Sequence, residues 1–139
     1  MPEPAAIHSP RVLVVDDEPQ VVTFIDRVLR LGGYDTCSAT GGREALQIAG
    51  EALPFDLLLT DVCMPGMAGY ELSRILRMRQ PDLRVLYLTG FNDALFDGKG
   101  TLWDGEAYLD KPTTPGGLLQ AVSLLLYGTT HQSAPSTAT

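Results

Sequence analysis

The feature that most limits the fold of this chain is a series of short apolar runs, separated by segments with helical spacing. Residues 12–15, 55–59 and 85–88 are apolar at nearly every position, and residues 107–109 form a weaker run. Continuous apolar runs of this length are typical of strands covered on both faces, as in parallel sheets. The more polar residues 34–39 suit an edge strand. The sequence therefore predicts a buried, mainly parallel sheet.

The segments between these runs carry apolar residues at the spacing of helices. Pro19 fits the first turn of one helix, and Gly32 with Gly33 supplies its end. Thr114 is a candidate cap for the last helix, with Pro115 in its first turn. Helices are predicted over residues 19–31, 43–52, 70–78 and 115–126. Strands alternating with helices indicate a right-handed α/β sandwich.

Three parts of the chain depart from this alternation. Within residues 91–105, glycines at 98, 100 and 105 would each cost about 1 kcal/mol in a helix interior, which predicts a short helix in a long, mobile loop. Residues 1–10 are interpreted as a flexible leader and residues 128–139 as a disordered tail, because both lack an apolar pattern. The predicted folded domain covers residues 11–127.

The overall composition excludes several classes of protein. A net charge of −7 without a basic patch argues against binding of nucleic acid. No run of 18 apolar residues exists to insert into a membrane, and the first ten residues lack a signal-peptide pattern, so we expect a cytoplasmic location. Cys37 and Cys63 are not spaced as metal ligands and are expected to be reduced.

Polar residues follow four of the predicted strands at the point where each strand ends. They are Asp16 and Asp17, Asp61, Thr89, and Lys111. Open α/β sheets bind ligands at this edge, and clustered carboxylates repel one another unless a cation lies among them. Mg²⁺ prefers oxygen ligands and often shares its site with phosphate. A lysine and a threonine hydroxyl can both contact phosphoryl oxygens. The pattern predicts a site for Mg²⁺ and a phosphoryl group.

Four motifs in order make the sequence recognisable: VVDDEP at 14–19, DVCMPGMAGYEL at 61–72, LTG at 88–90 and YLDKP at 108–112. Together they resemble the receiver domains of two-component signalling, over roughly residues 11–127. The resemblance implies a flavodoxin-like three-layer sandwich. Its five-stranded parallel sheet has the order 2-1-3-4-5, with helices on both faces and a fourth helix that is short or irregular here.

The resemblance also implies a role for each matching residue. Asp61 would be the phosphoacceptor, and Asp17 with Asp61 would bind Mg²⁺ directly. Asp16 would act through a water molecule, and the main-chain carbonyl of Cys63 would be a further ligand. Lys111 would pair with the phosphoryl group.

A second group of residues is implied to carry the conformational response. Thr89 would move toward the phosphoryl group and Tyr108 would follow inward as a switch, although a half-buried strand aromatic explains Tyr108 as well. Gly90 would leave room for the phosphoryl group, and the Lys111–Pro112 bond is expected to be cis. Thr113 departs from the phenylalanine that is common there, and residues 91–105 are poor in the helix signal of a segment that normally forms part of the output surface.

The implied function is that of a response regulator. It accepts a phosphoryl group from a sensor histidine kinase or a histidine phosphotransfer protein, and controls a partner protein. It assists its own phosphorylation and dephosphorylation but is not otherwise an enzyme. A pseudo-receiver that is never phosphorylated is the first alternative, and a small Mg²⁺-dependent aspartyl-phosphate phosphatase is a weaker one. The kinase, the output partner and the oligomeric state stay open, and a stand-alone regulator and a domain of a larger kinase both fit.

Overall fold

The computed structural model describes residues 9–52, 54–90, 104–111 and 113–128. Strands and helices alternate along these ranges. The strands are β1 (Arg11–Val15), β2 (Asp35–Ala39), β3 (Leu57–Asp61), β4 (Arg84–Thr89) and β5 (Glu106–Asp110). The helices are α1 (Pro19–Leu31), α2 (Gly42–Ala52), α3 (Gly69–Arg79) and α4 (Pro115–Tyr127).

The five strands form one parallel sheet in the order β2-β1-β3-β4-β5. This confirms the predicted flavodoxin-like order. Because β1 and β4 flank β3, the ends of these three strands lie side by side, and Val15 pairs with Thr60. At the far side Thr89 pairs with Asp110. Every strand end that the sequence marked as polar therefore lies at the same edge of the sheet.

Alternate residues of the central strands pack into two separate cores, one on each face of the sheet. Leu57 and Leu59 lie in the core with buried residues of α1 and α4, whereas Leu58 lies in the core with α2 and α3. Every residue of β3 is buried, which explains why its sequence does not alternate with polar residues. Each buried leucine contributes about 1.5–3 kcal/mol through the hydrophobic effect.

The ends of the elements mostly follow the local sequence signals. The backbone N–H of Gly117 donates to Thr114 Oγ1 at 2.9 Å, so the predicted cap of α4 is confirmed. The start of β3 was predicted two residues too early, at Phe55. The Phe55 backbone instead bonds at both its N–H and its carbonyl to the side chain of Gln80, which removes it from the strand ladder.

Several predictions fall outside the described residues. These are the short helix expected within residues 91–105, of which only 104 and 105 are described, the leader up to residue 8, the tail from residue 129, and the cis bond before residue 112. Within the described part of the chain, no helix has the length and apolar character needed to cross a membrane.

Candidate functional site

Three carboxylates converge where β1 and β3 end. Asp16 and Asp17 directly follow β1, and Asp61 is the last residue of β3. One carboxylate oxygen of each lies within 4.8 Å of the others. Asp16 and Asp61 are buried, whereas Asp17 is exposed, so the cluster opens to solvent on one side. The predicted acidic cluster is therefore present as a set of neighbouring side chains.

Lys111 reaches this cluster from the end of β5. Its Nζ lies 2.9 Å from Asp16 Oδ2 and 3.5 Å from Asp61 Oδ1. Its backbone N–H donates to the carbonyl of Thr89 at 2.8 Å, which fixes the start of the loop that carries it. Burial by itself lowers the pKa of Lys111, but the bond to Asp16 and the charge of Asp61 outweigh burial and raise it. The lysine is therefore held as a cation between two carboxylates.

The charges of the cluster do not balance without a further cation. Among the described residues, the cluster contains three carboxylates and one lysine, which leaves two negative charges in excess. Asp16 Oδ1 accepts from the backbone N–H of Glu18 at 2.9 Å, so only its Oδ2 is directed at the lysine. An all-oxygen donor set that is buried on one side and open on the other matches the preference of Mg²⁺ for a few carboxylates and several waters. The residues present therefore fit a magnesium ion.

The loop that follows Asp61 is closed tightly against the site. The Gly69 N–H donates to the carbonyl of Val62 at 2.9 Å. A Cβ atom added at Gly69 would lie 2.2 Å from the carbonyl oxygen of Asp61, so any side chain there would push the loop away. Cys63 lies in this loop with an exposed side chain, and the role of its main-chain carbonyl as a metal ligand stays a prediction.

Thr89 and Tyr108, the two predicted switch residues, both have partners of their own. Thr89 Oγ1 donates to Asp110 Oδ1 at 2.8 Å. The hydroxyl groups of Tyr108 and Tyr70 lie 2.5 Å apart. The structure thus brings Thr89 to the same edge as the acidic cluster, but its hydroxyl is bonded to Asp110. The switching roles of both residues stay predictions.

A polar network between α3 and the strands β4 and β5 was not predicted from the sequence. The fully buried Tyr87 has its hydroxyl 2.7 Å from Ser73 Oγ and 3.4 Å from Glu106 Oε2. Glu106 is buried and lies 3.4 Å from Arg74 and 3.5 Å from Arg77. The only available signals were a tyrosine inside an apolar run and a glutamate at the start of another, and neither identifies a partner.

The family of this chain follows from its similarity to known proteins. The sequence profile described as "Response regulator receiver domain" matches residues 12–123. The chain belongs to this family. The receiver domain is similar to the "Transcriptional regulatory protein PrrA" of Mycobacterium tuberculosis, with 35% identity over 135 residues, 96% of this chain and 58% of the relative.

Two further similarities support the same family. The "Alkaline phosphatase synthesis transcriptional regulatory protein PhoP" of Bacillus subtilis is 33% identical over 116 residues, 84% of this chain and 48% of the relative. Among solved structures, the chemotaxis protein CheY4 of Vibrio cholerae matches with a TM-score of 0.75 and 32% identity, covering 85% of this chain and 99% of that chain. The receiver domain spans about half the length of these two curated relatives.

Proposed function

We propose that this receiver domain accepts a phosphoryl group on Asp61 in a Mg²⁺-dependent reaction and changes conformation in response. The donor is a phosphohistidine of a sensor histidine kinase or a histidine phosphotransfer protein. The observation that carries the proposal is the contact of one lysine, Lys111, with both Asp16 and Asp61 beside the exposed carboxylate of Asp17. This combination supplies a nucleophile, a cation and an opening to solvent at one point.

Mg²⁺ would be held directly by Asp17 and Asp61, through a water molecule by Asp16, and by the main-chain carbonyl of Cys63. When bound, it would neutralise negative charge on the phosphoryl oxygens. Two excess negative charges in the free cluster provide the attraction for the ion. No other group of three acidic, histidine or cysteine side chains in the described ranges is close enough to hold a metal.

The protein residues have separate tasks in the transfer. A carboxylate oxygen of Asp61 attacks phosphorus in line with the bond to the donor histidine nitrogen, which breaks as the new bond forms. Lys111 offsets the charge that gathers on the phosphoryl oxygens. Because the domain itself is the acceptor and also assists the later loss of the group, it acts as a phosphoacceptor and not as an enzyme with an external substrate.

The response begins with the added charge. A phosphoryl group carries about two negative charges where the carboxylate of Asp61 carried one, and it brings new acceptor oxygens to the site. The hydroxyl of Thr89 then exchanges Asp110 for a phosphoryl oxygen, and the inward arrangement of Tyr108 becomes more highly populated. The populations of two arrangements of these residues change, and a partner protein binds one arrangement more tightly than the other. The partner is expected to be a protein and not nucleic acid because of the net charge of −7, and a cytoplasmic location is part of the proposal.

The decisive experiment is incubation with acetyl phosphate and Mg²⁺, followed by intact-mass measurement. The parent chain is expected to gain one phosphoryl group, and Asp61→Asn to gain none. Asp82→Asn is the matched control, because Asp82 is an exposed aspartate that follows α3, outside the acidic cluster. A parent chain that is never modified, also with a histidine phosphotransfer donor, would favour the non-phosphorylated interaction module instead.

A further inference from the structure

Tyr108 belongs to a cluster of three tyrosines on the α2 and α3 face of the sheet. The tyrosine cluster consists of Tyr70 on α3, Tyr87 on β4 and Tyr108 on β5. Ring centroids of Tyr70 and Tyr87 lie 4.7 Å apart, and those of Tyr87 and Tyr108 lie 5.7 Å apart. The hydroxyls of Tyr70 and Tyr108 then meet at 2.5 Å. Tyr108 is therefore packed inward and bonded to α3.

Tyr70 is placed by the same loop that begins at the phosphoacceptor. It directly follows Gly69, and the site for a Gly69 Cβ is only 2.2 Å from the carbonyl oxygen of Asp61. The Gly69 N–H is bonded to the carbonyl of Val62, the residue after Asp61. The first turn of α3 is thus in contact with the backbone of the phosphoacceptor, so a shift of that backbone moves Tyr70 with it.

Tyr108 is linked to the other side of the site through β5. Asp110, two residues further along, accepts the hydrogen bond of Thr89. Lys111 follows, with its N–H bonded to the Thr89 carbonyl and its ammonium group between Asp16 and Asp61. The hydroxyl contact of Tyr70 with Tyr108 therefore joins two segments that both end at the acidic cluster.

We infer that Tyr70 is a positioning residue that couples occupancy of the phosphoryl site to the inward arrangement of Tyr108. The inference rests on the proposed function, in which a phosphoryl group favours that arrangement. The hydroxyl bond between Tyr70 and Tyr108 stabilises the inward arrangement before phosphorylation. Removing it lowers the population of that arrangement, and a ligand that binds only this arrangement then binds more weakly by the factor by which the population falls.

The test is a double-mutant cycle on the affinity for beryllofluoride, a phosphoryl mimic, in the presence of Mg²⁺. Tyr70→Phe keeps the ring and removes only the hydroxyl. It is expected to weaken beryllofluoride binding about three- to tenfold in the parent chain, and less than about twofold in the Tyr108→Phe background. Tyr34→Phe is the matched control: Tyr34 is a half-buried tyrosine that packs with the core on the opposite face of the sheet.

The outcomes separate the inference from the proposed function. A hydroxyl pair with a purely structural role would lower the melting temperature but leave beryllofluoride affinity unchanged, which would overturn the inference. Equal weakening in both backgrounds, or tighter binding by Tyr70→Phe, would overturn it as well. Failure of the parent chain to bind beryllofluoride would overturn the proposed function and the inference with it. Tyr70→Met, which fills similar space without a hydroxyl, repeats the test if Tyr70→Phe folds poorly.

Discussion

The ammonium group of Lys111 is bonded more closely to Asp16 than to Asp61, at 2.9 Å against 3.5 Å. Asp16 is fully buried, so the lysine is the main compensation for a carboxylate that has little access to water. Phosphorylation at Asp61 would draw the same ammonium group toward new oxygens. The lysine thus contacts both carboxylates at rest, Asp16 more closely, and by the proposed function it shifts toward the phosphoryl group on Asp61 after phosphorylation.

Replacing Lys111 should therefore affect stability as well as phosphorylation. Lys111→Gln is expected to lower the free energy of unfolding by about 1–3 kcal/mol, because it leaves buried carboxylates without a counter-charge. Mg²⁺ should stabilise this variant more than the parent chain, since the excess negative charge is larger. Urea denaturation with and without Mg²⁺ measures both effects. Arg79→Gln, at an exposed cation in the last turn of α3, is the control, and equal Mg²⁺ stabilisation of all three chains would contradict the account.

Loss of one carboxylate from the cluster should weaken Mg²⁺ binding. Asp17→Asn and Asp61→Asn are each expected to raise the dissociation constant by about tenfold or more, which corresponds to about 1.4 kcal/mol. Asp110→Asn is the matched control, because Asp110 lies at the same edge but is bonded to Thr89. Calorimetric titration with Mg²⁺ gives the constants. Retained affinity in Asp17→Asn would show that the ion is held elsewhere.

Gly69 should tolerate no side chain. In Gly69→Ala the new Cβ meets the Asp61 carbonyl oxygen at 2.2 Å unless the backbone moves, so we expect a loss of about 1–3 kcal/mol of stability and slower phosphorylation of Asp61. Gly116→Ala is the control, since nothing lies within 4 Å of the added atom in the first turn of α4. It should be neutral or stabilising by up to about 1 kcal/mol. Chemical denaturation and acetyl phosphate labelling of both variants provide the comparison.

Alkaline pH should destabilise the fold partly through the tyrosine cluster. Burial raises the pKa of Tyr70 above its usual value of 10.0, and the bond to Tyr108 raises it further. Burial also raises the pKa of Tyr87. The unfolded chain therefore loses these protons first as pH rises through 10.0, so stability is retained below that pH and falls above it.

The measurement for this prediction is the free energy of unfolding in urea at several pH values from about 9 to 11, a range around the ordinary tyrosine pKa. Tyr70→Phe should reduce the slope of stability against pH, because one group that resists ionisation is gone. An unchanged slope in Tyr70→Phe would mean that Tyr70 ionises equally easily in the folded and unfolded chains. Absorbance of tyrosinate, recorded in the same samples, shows directly whether the folded or the unfolded chain ionises at lower pH.

The α/β fold class and the acidic cluster were predictable from local patterns, whereas the strand order followed from the resemblance to receiver domains. Continuous apolar runs identify strands covered on both faces, and the carboxyl ends of parallel strands must meet at one edge. The positions of Asp16, Asp17, Asp61 and Lys111 directly after their strands therefore placed all four at one edge of the sheet. The cap at Thr114 could also be predicted from the sequence, because a helix cap depends on residues within one turn of the chain.

The partners of individual side chains were decided by the tertiary structure. Gln80 bonds the backbone of Phe55 and delays the start of β3, and Tyr70 meets Tyr108 across 38 positions of sequence. Such contacts depend on how each helix is rotated and seated on the sheet. That rotation results from packing of the whole core, and no short segment of sequence contains it. The sequence thus determined which groups reach the edge of the sheet, whereas packing determined which of them touch.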